Sequence, residues 1–133
     1  MKRVFALLLL ITISLSACQT KLSEVAGEKV TMEGGSYTRI SPDDLNAMLK
    51  DKNFVLINVH IPFAGNIADT DLSIPYDQII EAPYLAQLPA DKTAKIVLYC
   101  RSGRMSAIAA EALVEQGYTN IWDLAGGMVA WEQ

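Results

Sequence analysis

The sequence predicts an α/β fold with an open, mostly parallel sheet and helices on both of its faces. Two runs, Phe54-Val55-Leu56-Ile57-Asn58-Val59 and Ile96-Val97-Leu98-Tyr99, are almost continuously apolar and too short for typical helices. Strands buried on both faces of a parallel sheet read this way. Capped helical patterns alternate with these runs, and that alternation is the mark of a parallel sheet crossed by helices. Size is the third observation, because the 133 residues fit one compact domain once an N-terminal leader is set aside.

The leader is legible in the first residues. Met1-Lys2-Arg3 is basic, Val4 to Ser14 is apolar, and Leu15-Ser16-Ala17 ends in small residues before Cys18. This is the layout of a secretory signal, and the apolar run is shorter than the roughly 20 residues that span a bilayer. Leu15-Ser16-Ala17-Cys18 also resembles the lipobox of bacterial lipoproteins, which implies cleavage after residue 17 and lipidation of Cys18. The expected divisions are a signal peptide over 1–17, a tether over 18–36 that carries lipidated Cys18, and a folded domain over 37–133. Gln19 to Ser36 is polar and ends in Glu33-Gly34-Gly35-Ser36. As a flexible chain it spans on the order of 20 to 25 Å, enough to hold a domain clear of a lipid surface. The expected location is the bacterial cell envelope with the domain in the periplasm, and Gln19 rather than Asp after the cysteine favours the outer membrane where there are two.

Within the domain, Tyr37 to Ile40 reads as a short strand. Ser41 as N-cap, Pro42 at the first helical position and Asp43 and Asp44 in the first turn then open a helix. Leu45, Met48 and Leu49 give it one apolar face. The strand at Phe54 to Val59 follows, then a short one at Leu72 to Ile74, a helical turn near Gln78 to Glu81, and a proline-punctuated stretch from Pro83 to Pro89 without a clear pattern. After Ile96 to Tyr99, a helix from about Ser106 presents Ile108, Ala109, Ala112 and Leu113 on one face and closes at Gly117. Tyr118 to Trp122 reads as the last strand.

Charge narrows the partners. The chain carries a net charge of -4, and losing Lys2 and Arg3 leaves nine basic residues against fifteen acidic, a net of -6. Nucleic acid is therefore not an expected partner. With Cys18 lipidated, Cys100 has no disulfide partner in its own chain. It stands at the end of a strand, before Arg101-Ser102-Gly103-Arg104-Met105-Ser106 and a helix start. A thiol is a nucleophile only as thiolate, and both the unpaired N–H groups of a helix start and nearby cations favour that form. Strand, cysteine, short glycine-bearing loop and helix together make an anion cradle with a nucleophile at its floor. In open parallel sheets ligands bind beyond the carboxyl ends of the strands, where Cys100 and His60 both lie.

On these residues the chain resembles the single-domain rhodaneses, a sulfurtransferase family. Cys100-Arg101-Ser102-Gly103-Arg104 is similar to the family's active-site loop. Leu56-Ile57-Asn58-Val59-His60 is similar to a stretch that usually reads Ile-Asp-Val-Arg, and Gly65-Asn66-Ile67 with Ile74-Pro75 to the Gly-His-Ile and Ile-Pro elements. Leu124-Ala125-Gly126-Gly127-Met128-Val129-Ala130-Trp131 is similar to the closing Gly-Gly and Trp signature. The resemblance implies a sulfurtransferase in which Cys100 takes a sulfane sulfur from thiosulfate or a persulfide, carries it as a persulfide, and passes it to a thiol or cyanide-like acceptor. It implies no cofactor beyond that covalent intermediate. Loop N–H groups from Arg101 to Met105, with Ser102 and Gly103 between, would stabilise the thiolate and then the persulfide sulfur. Arg101 and Arg104 would draw in an anionic donor.

Neighbouring chemistries fit less well. Cysteine phosphatases need Cys-x5-Arg, and position 106 is Ser106. Mercaptopyruvate-type enzymes usually carry Cys-Gly-Ser-Gly, without these arginines. Asn58 and His60 depart from the family's usual Asp and Arg, and Ile61 to Ala64 is shorter than its acidic stretch. These departures keep open a second reading, a non-catalytic rhodanese-like module for binding or sulfur relay at the envelope. A Cys/His redox or hydrolytic enzyme lacks a third orienting residue. His60 is read either as a group near Cys100 or as rim packing. Asp69 and Asp71 do not make a metal site without a second histidine or free cysteine. Trp122 and Trp131 read as packing residues.

Overall fold

The structure is a computed structural model and describes residues 25–133. The segment expected to be a signal peptide, and Cys18, lie outside the described residues. The sheet has six strands in the order β1-β2-β6-β5-β3-β4, all parallel except β1. In chain order the elements are β1 (Glu28–Met32), β2 (Gly35–Ile40), α1 (Pro42–Leu49), β3 (Val55–Asn58) and β4 (Leu72–Ser73), followed by α2 (Ala82–Leu85), β5 (Ile96–Tyr99), α3 (Arg104–Glu115), β6 (Ile121–Leu124) and α4 (Gly127–Trp131). Helices cover both faces, as expected.

Strand β5 shows why its sequence is apolar at every position. Successive side chains point to opposite faces, and here both faces are dry. Ile96, Leu98 and Cys100 join Ile57, Val59 and Ile121 against Ala109, Ala110 and Leu113 of α3. Val97 and Tyr99 join Leu56, Ile40 and Leu124 against Leu45 of α1 and Met128 of α4. Helix α1 begins as its signals require. The Ser41 side chain accepts from the Asp44 N–H, and the Asp44 carboxylate accepts from the Ser41 N–H at 2.9 Å, a reciprocal cap.

Four expectations shift. The tether expected up to residue 36 contains β1, which pairs with β2 from Glu28↔Arg39 to Met32↔Gly35. Its mostly exposed side chains leave no apolar alternation to read, but Val30 and Met32 pack on the core and the folded unit begins before Tyr37. Helix α3 starts at Arg104, two residues early, and buries Ser106, Ala109, Ala110, Leu113 and Val114. Its face is turned from the one expected, so Ile108 is 38% exposed. The last strand is β6 at 121–124, because Gly117 to Asn120 is spent on the turn out of α3, where the Tyr118 N–H donates to the Leu113 carbonyl. The Gln78 to Glu81 turn runs on into α2, whose first turn holds Pro83.

Because β1 is held by a hydrogen-bond ladder and two half-buried side chains, a chain that begins at Tyr37 should be less stable than one that begins at Gly27. The expected loss is on the order of 2 kcal/mol, read as a lower urea midpoint, with a greater tendency to self-associate through the bared β2 edge. Equal midpoints would return residues 27–36 to the status of a tether.

Candidate active site

Cys100 immediately follows β5 and is only 1% exposed. Its Sγ accepts a hydrogen bond from the Gly103 N–H at 3.0 Å and one from the Ser106 hydroxyl at 3.6 Å. Gly103 is the N-cap of α3 with φ of 100°, a left-handed conformation that L side chains rarely adopt. That conformation turns the chain abruptly from strand to helix, so the helix start faces the sulfur. Ser106 is the third member of this cluster, and nothing in the local sequence pattern marks it. Its hydroxyl also lies 3.2 Å from the Gly103 carbonyl, which it can use as acceptor.

The loop is held from outside by α4. The Met128 N–H donates to the Cys100 carbonyl at 2.9 Å and the Val129 N–H to the Arg101 carbonyl at 3.0 Å. An added Cβ on Gly127 would lie 2.2 Å from the Cys100 carbonyl oxygen and 2.7 Å from that of Arg101. The closing Gly-Gly of the sequence is thus the surface against which the cysteine loop rests. With two carbonyls committed to α4, the Gly103 amide is left facing Sγ.

The two loop arginines do not converge. Arg101 lines a hollow of about 250 Å³ with Ala64, Met128, Val129 and Glu132, between the loops that follow β3 and β5. Arg104 and Ser102 line a larger open cleft of about 510 Å³ on the other side, with Arg39, Ile108 and Asp123. Both arginines are exposed, and neither makes an ion pair among the described residues. Met105 is half-buried, packed on the core beside the loop.

On the opposite wall, the buried Asn58 side chain donates to the Gly65 carbonyl at 2.8 Å and to Asn66 Oδ1 at 2.9 Å. Its own Oδ1 accepts from the His60 N–H at 2.9 Å. Asn66 Oδ1 also accepts from Ser73, and Tyr99 accepts from the Ile67 N–H. The departure at 58 is therefore an amide with both ends in use. A carboxylate there could not donate to Gly65 or Asn66. His60 is half-buried one residue beyond Val59, whose N–H donates to the Tyr99 carbonyl, and its Nδ1 is buried without a hydrogen-bond partner. The structure thus brings His60 to the strand end next to Cys100 but gives its ring no hydrogen bond to the sulfur. Asp71 is committed elsewhere, accepting from the Leu56 N–H at 2.7 Å and from Lys52. Trp122 is part-buried, with its Nε1 donating to Asn120.

A family model described as Rhodanese-like domain matches residues 41–133. The chain belongs to the rhodanese family. It is 38% identical over 95 residues to a probable adenylyltransferase/sulfurtransferase of Mycobacterium tuberculosis, covering 69% of this chain and 24% of that protein. It is 35% identical over 92 residues to a putative mitochondrial thiosulfate sulfurtransferase of Schizosaccharomyces pombe, covering 61% of this chain and 65% of that protein. The chain thus spans about a quarter of the first relative and just under two thirds of the second. Among solved structures, the rhodanese-related protein of Thermoplasma volcanium matches with a TM-score of 0.58 at 31% identity, over 71% of this chain and 89% of that one. Rhodanese membership and sulfurtransferase-named relatives support a sulfur-transfer role at family level.

Gly127→Ala tests the rhodanese loop's outer support. A methyl group driven into two backbone carbonyls has nowhere to go, so the substitution should cost about 3 kcal/mol or more by denaturant unfolding. In the folded fraction Cys100 should lose its parent rate of alkylation, because the loop must move off α4. A variant with parent stability and parent alkylation would remove α4 as the loop's support.

Proposed function

We propose that this rhodanese is a sulfurtransferase that uses thiosulfate or a persulfide as donor, with Cys100 as nucleophile and sulfur carrier. The observation that carries the reading is the Cys100 sulfur at a helix start, with the Gly103 N–H on it at 3.0 Å and two exposed arginines flanking its loop. With thiosulfate, the Cys100 thiolate attacks the outer sulfur, the S–S bond of the donor breaks, and sulfite leaves with the bonding pair. The product is a Cys100 persulfide anion. A thiolate or cyanide-like acceptor then attacks the terminal sulfur, and the Cys100 thiolate departs with the electron pair, ready for another cycle. Each step puts negative charge on sulfur, and a preorganised N–H donor stabilises that charge without reorganising.

The relatives' names support the donor class, and the arginines support an anion. Arg101 borders the hollow between the loops beyond β3 and β5, the crevice that parallel sheets offer to ligands. The reading extends to the envelope: Cys18 as lipid anchor, a periplasmic domain, and no nucleic-acid partner. The second reading, a non-catalytic rhodanese-like module for binding or sulfur relay at the envelope, is kept by the departures at Asn58 and His60, whose polar groups are turned to their own segment rather than to the sulfur.

Intact mass after incubation with thiosulfate tests the first step. The parent domain, reduced beforehand, should gain one sulfur atom, and Cys100→Ser should gain none. No adduct on the parent with either thiosulfate or an organic persulfide would remove the catalytic reading and leave the binding module; an adduct with the persulfide alone would restrict the donor to persulfides.

Donor choice is a separate expectation. Arg101→Ala and Arg104→Ala should each raise the half-saturating thiosulfate concentration, Arg101→Ala the more, by about fivefold, the size of one partly exposed charge contact. Half-saturation by a neutral persulfide should change less. Equal effects on both donors would end the anion-binding role.

A further inference from the structure

Tyr99 is the last residue of β5, and it closes that apolar strand with a phenol that is wholly buried. A hydroxyl taken out of water is costly unless its hydrogen bonds are replaced. Here they are replaced by one turn of the segment that follows β3. Tyr99 Oη accepts from the Ile67 N–H at 3.1 Å and lies 2.7 Å from Thr70 Oγ1, while Thr70 donates to the Ile67 carbonyl at 2.7 Å. Thr70 has one hydroxyl proton and a carbonyl can only accept, so that proton goes to Ile67 and the Tyr99 proton goes to Thr70. The three residues close a ring in which each gives one proton and takes one. Asn66 Oδ1, 3.4 Å from the phenol, already accepts from Asn58 and Ser73 and needs nothing from Tyr99.

Among the described residues, no backbone-to-backbone hydrogen bond joins 60–70 to a strand; Val59 and Asp71, on either side, make the nearest ones. Side chains hold the segment instead. Asn58 donates to the Gly65 carbonyl and accepts from the His60 N–H, and Tyr99 takes the turn at Ile67 and Thr70. The Ile67 side chain is buried in the same cluster as Tyr99, but an apolar contact has no direction, and hydrogen bonds are what fix how the turn sits. Between these anchors lies Ala64, which lines the hollow of Arg101. We propose that Tyr99 is a positioning residue for the sulfur donor: its hydroxyl sets the wall that Ala64 presents to that hollow. The inference rests on the reading of the hollow as the place of an anionic sulfur donor. It leaves the Cys100 sulfur alone, because the two neighbours point to opposite faces of the sheet, Tyr99 among Leu56, Val97 and Leu124, and Cys100 among Leu98, Ala109 and Leu113. A displaced wall therefore changes how the sulfur donor is held and not how the thiolate is stabilised.

Three variants test the ring: Tyr99→Phe deletes one hydroxyl, Thr70→Val deletes the other, and Thr70→Ser keeps it. Exchange of the Ile67 amide with deuterated solvent, followed by NMR, needs no sulfur transfer. It should be about tenfold faster in Tyr99→Phe, somewhat faster in Thr70→Val, and at the parent rate in Thr70→Ser. Sulfur uptake from thiosulfate, followed by intact mass, should reach half-saturation at about threefold higher concentration in Tyr99→Phe and Thr70→Val, with the rate at saturation within a factor of about two of the parent's. Unchanged Ile67 exchange in Tyr99→Phe would overturn the ring as the holder of the turn. Faster exchange with unchanged half-saturation would overturn the positioning role, as would a saturating rate that falls as far as half-saturation rises. A parent that takes up no sulfur ends the sulfur-donor reading itself, and the role of the wall with it, whatever the exchange shows. Where Tyr99→Phe fails to fold, the Thr70 pair decides, because a serine that behaves like the valine removes the hydroxyl from the account.

Discussion

The cysteine loop depends on a contact between two backbones. Cys100 and Arg101 give their carbonyls to the first amides of α4, over glycines that leave room for the approach. A strand end that turns straight into a helix has several polar groups to satisfy in little space. With the carbonyls committed on the outer side, the Gly103 amide is free to meet the sulfur on the inner side. The sheet supplies the rest of the frame: β5 is central, flanked by β6 and β3, and its neighbours bring Asp123 beneath the loop and Asn58 across from it. The site is therefore built from strand ends and helix starts, with little freedom left in its loop.

Charge is distributed with the same economy. An acidic chain would repel an anionic donor at long range, but its loop arginines are exposed and unpaired among the described residues, one on each side. Exposed charges steer more than they bind, and salt weakens the effect. What acts at the sulfur itself is shorter in range: an amide at 3.0 Å and a hydroxyl at 3.6 Å. These groups are shielded from water, where a single hydrogen bond has its largest effect.

The parallel sheet and the cysteine loop were legible because each has a short-range signature. Apolar runs of strand length, a Ser-Pro-Asp-Asp helix start and a cysteine before Gly103 are all local patterns. What stayed hidden depends on packing partners far away in sequence. Strand β1 is polar and exposed, so nothing local marks it; its partner β2 makes it a strand. The buried face of α3 was turned because Ser106 reads as polar, whereas the structure buries it to reach the sulfur. Asp123 is an acid inside the run Ile121-Trp122-Asp123-Leu124, but the sequence pattern puts the last strand at Tyr118 to Trp122 and so leaves Asp123 outside it.

The wall opposite the loop shows how a departure from a family's pattern can be read physically. Asn58 stands where the family usually has Asp, and its amide donates to Gly65 and Asn66 while its oxygen holds the His60 backbone. An aspartate could keep only the last of these and would leave two acceptors facing a carboxylate. The residue is therefore matched to the segment 60–66, whose short course brings Gly65 and Asn66 within reach of it. It also leaves that wall neutral. Arg101 then borders the hollow beyond β3 and β5 without a carboxylate at position 58 to oppose it, so the asparagine that departs from the family pattern adds no negative charge to that wall.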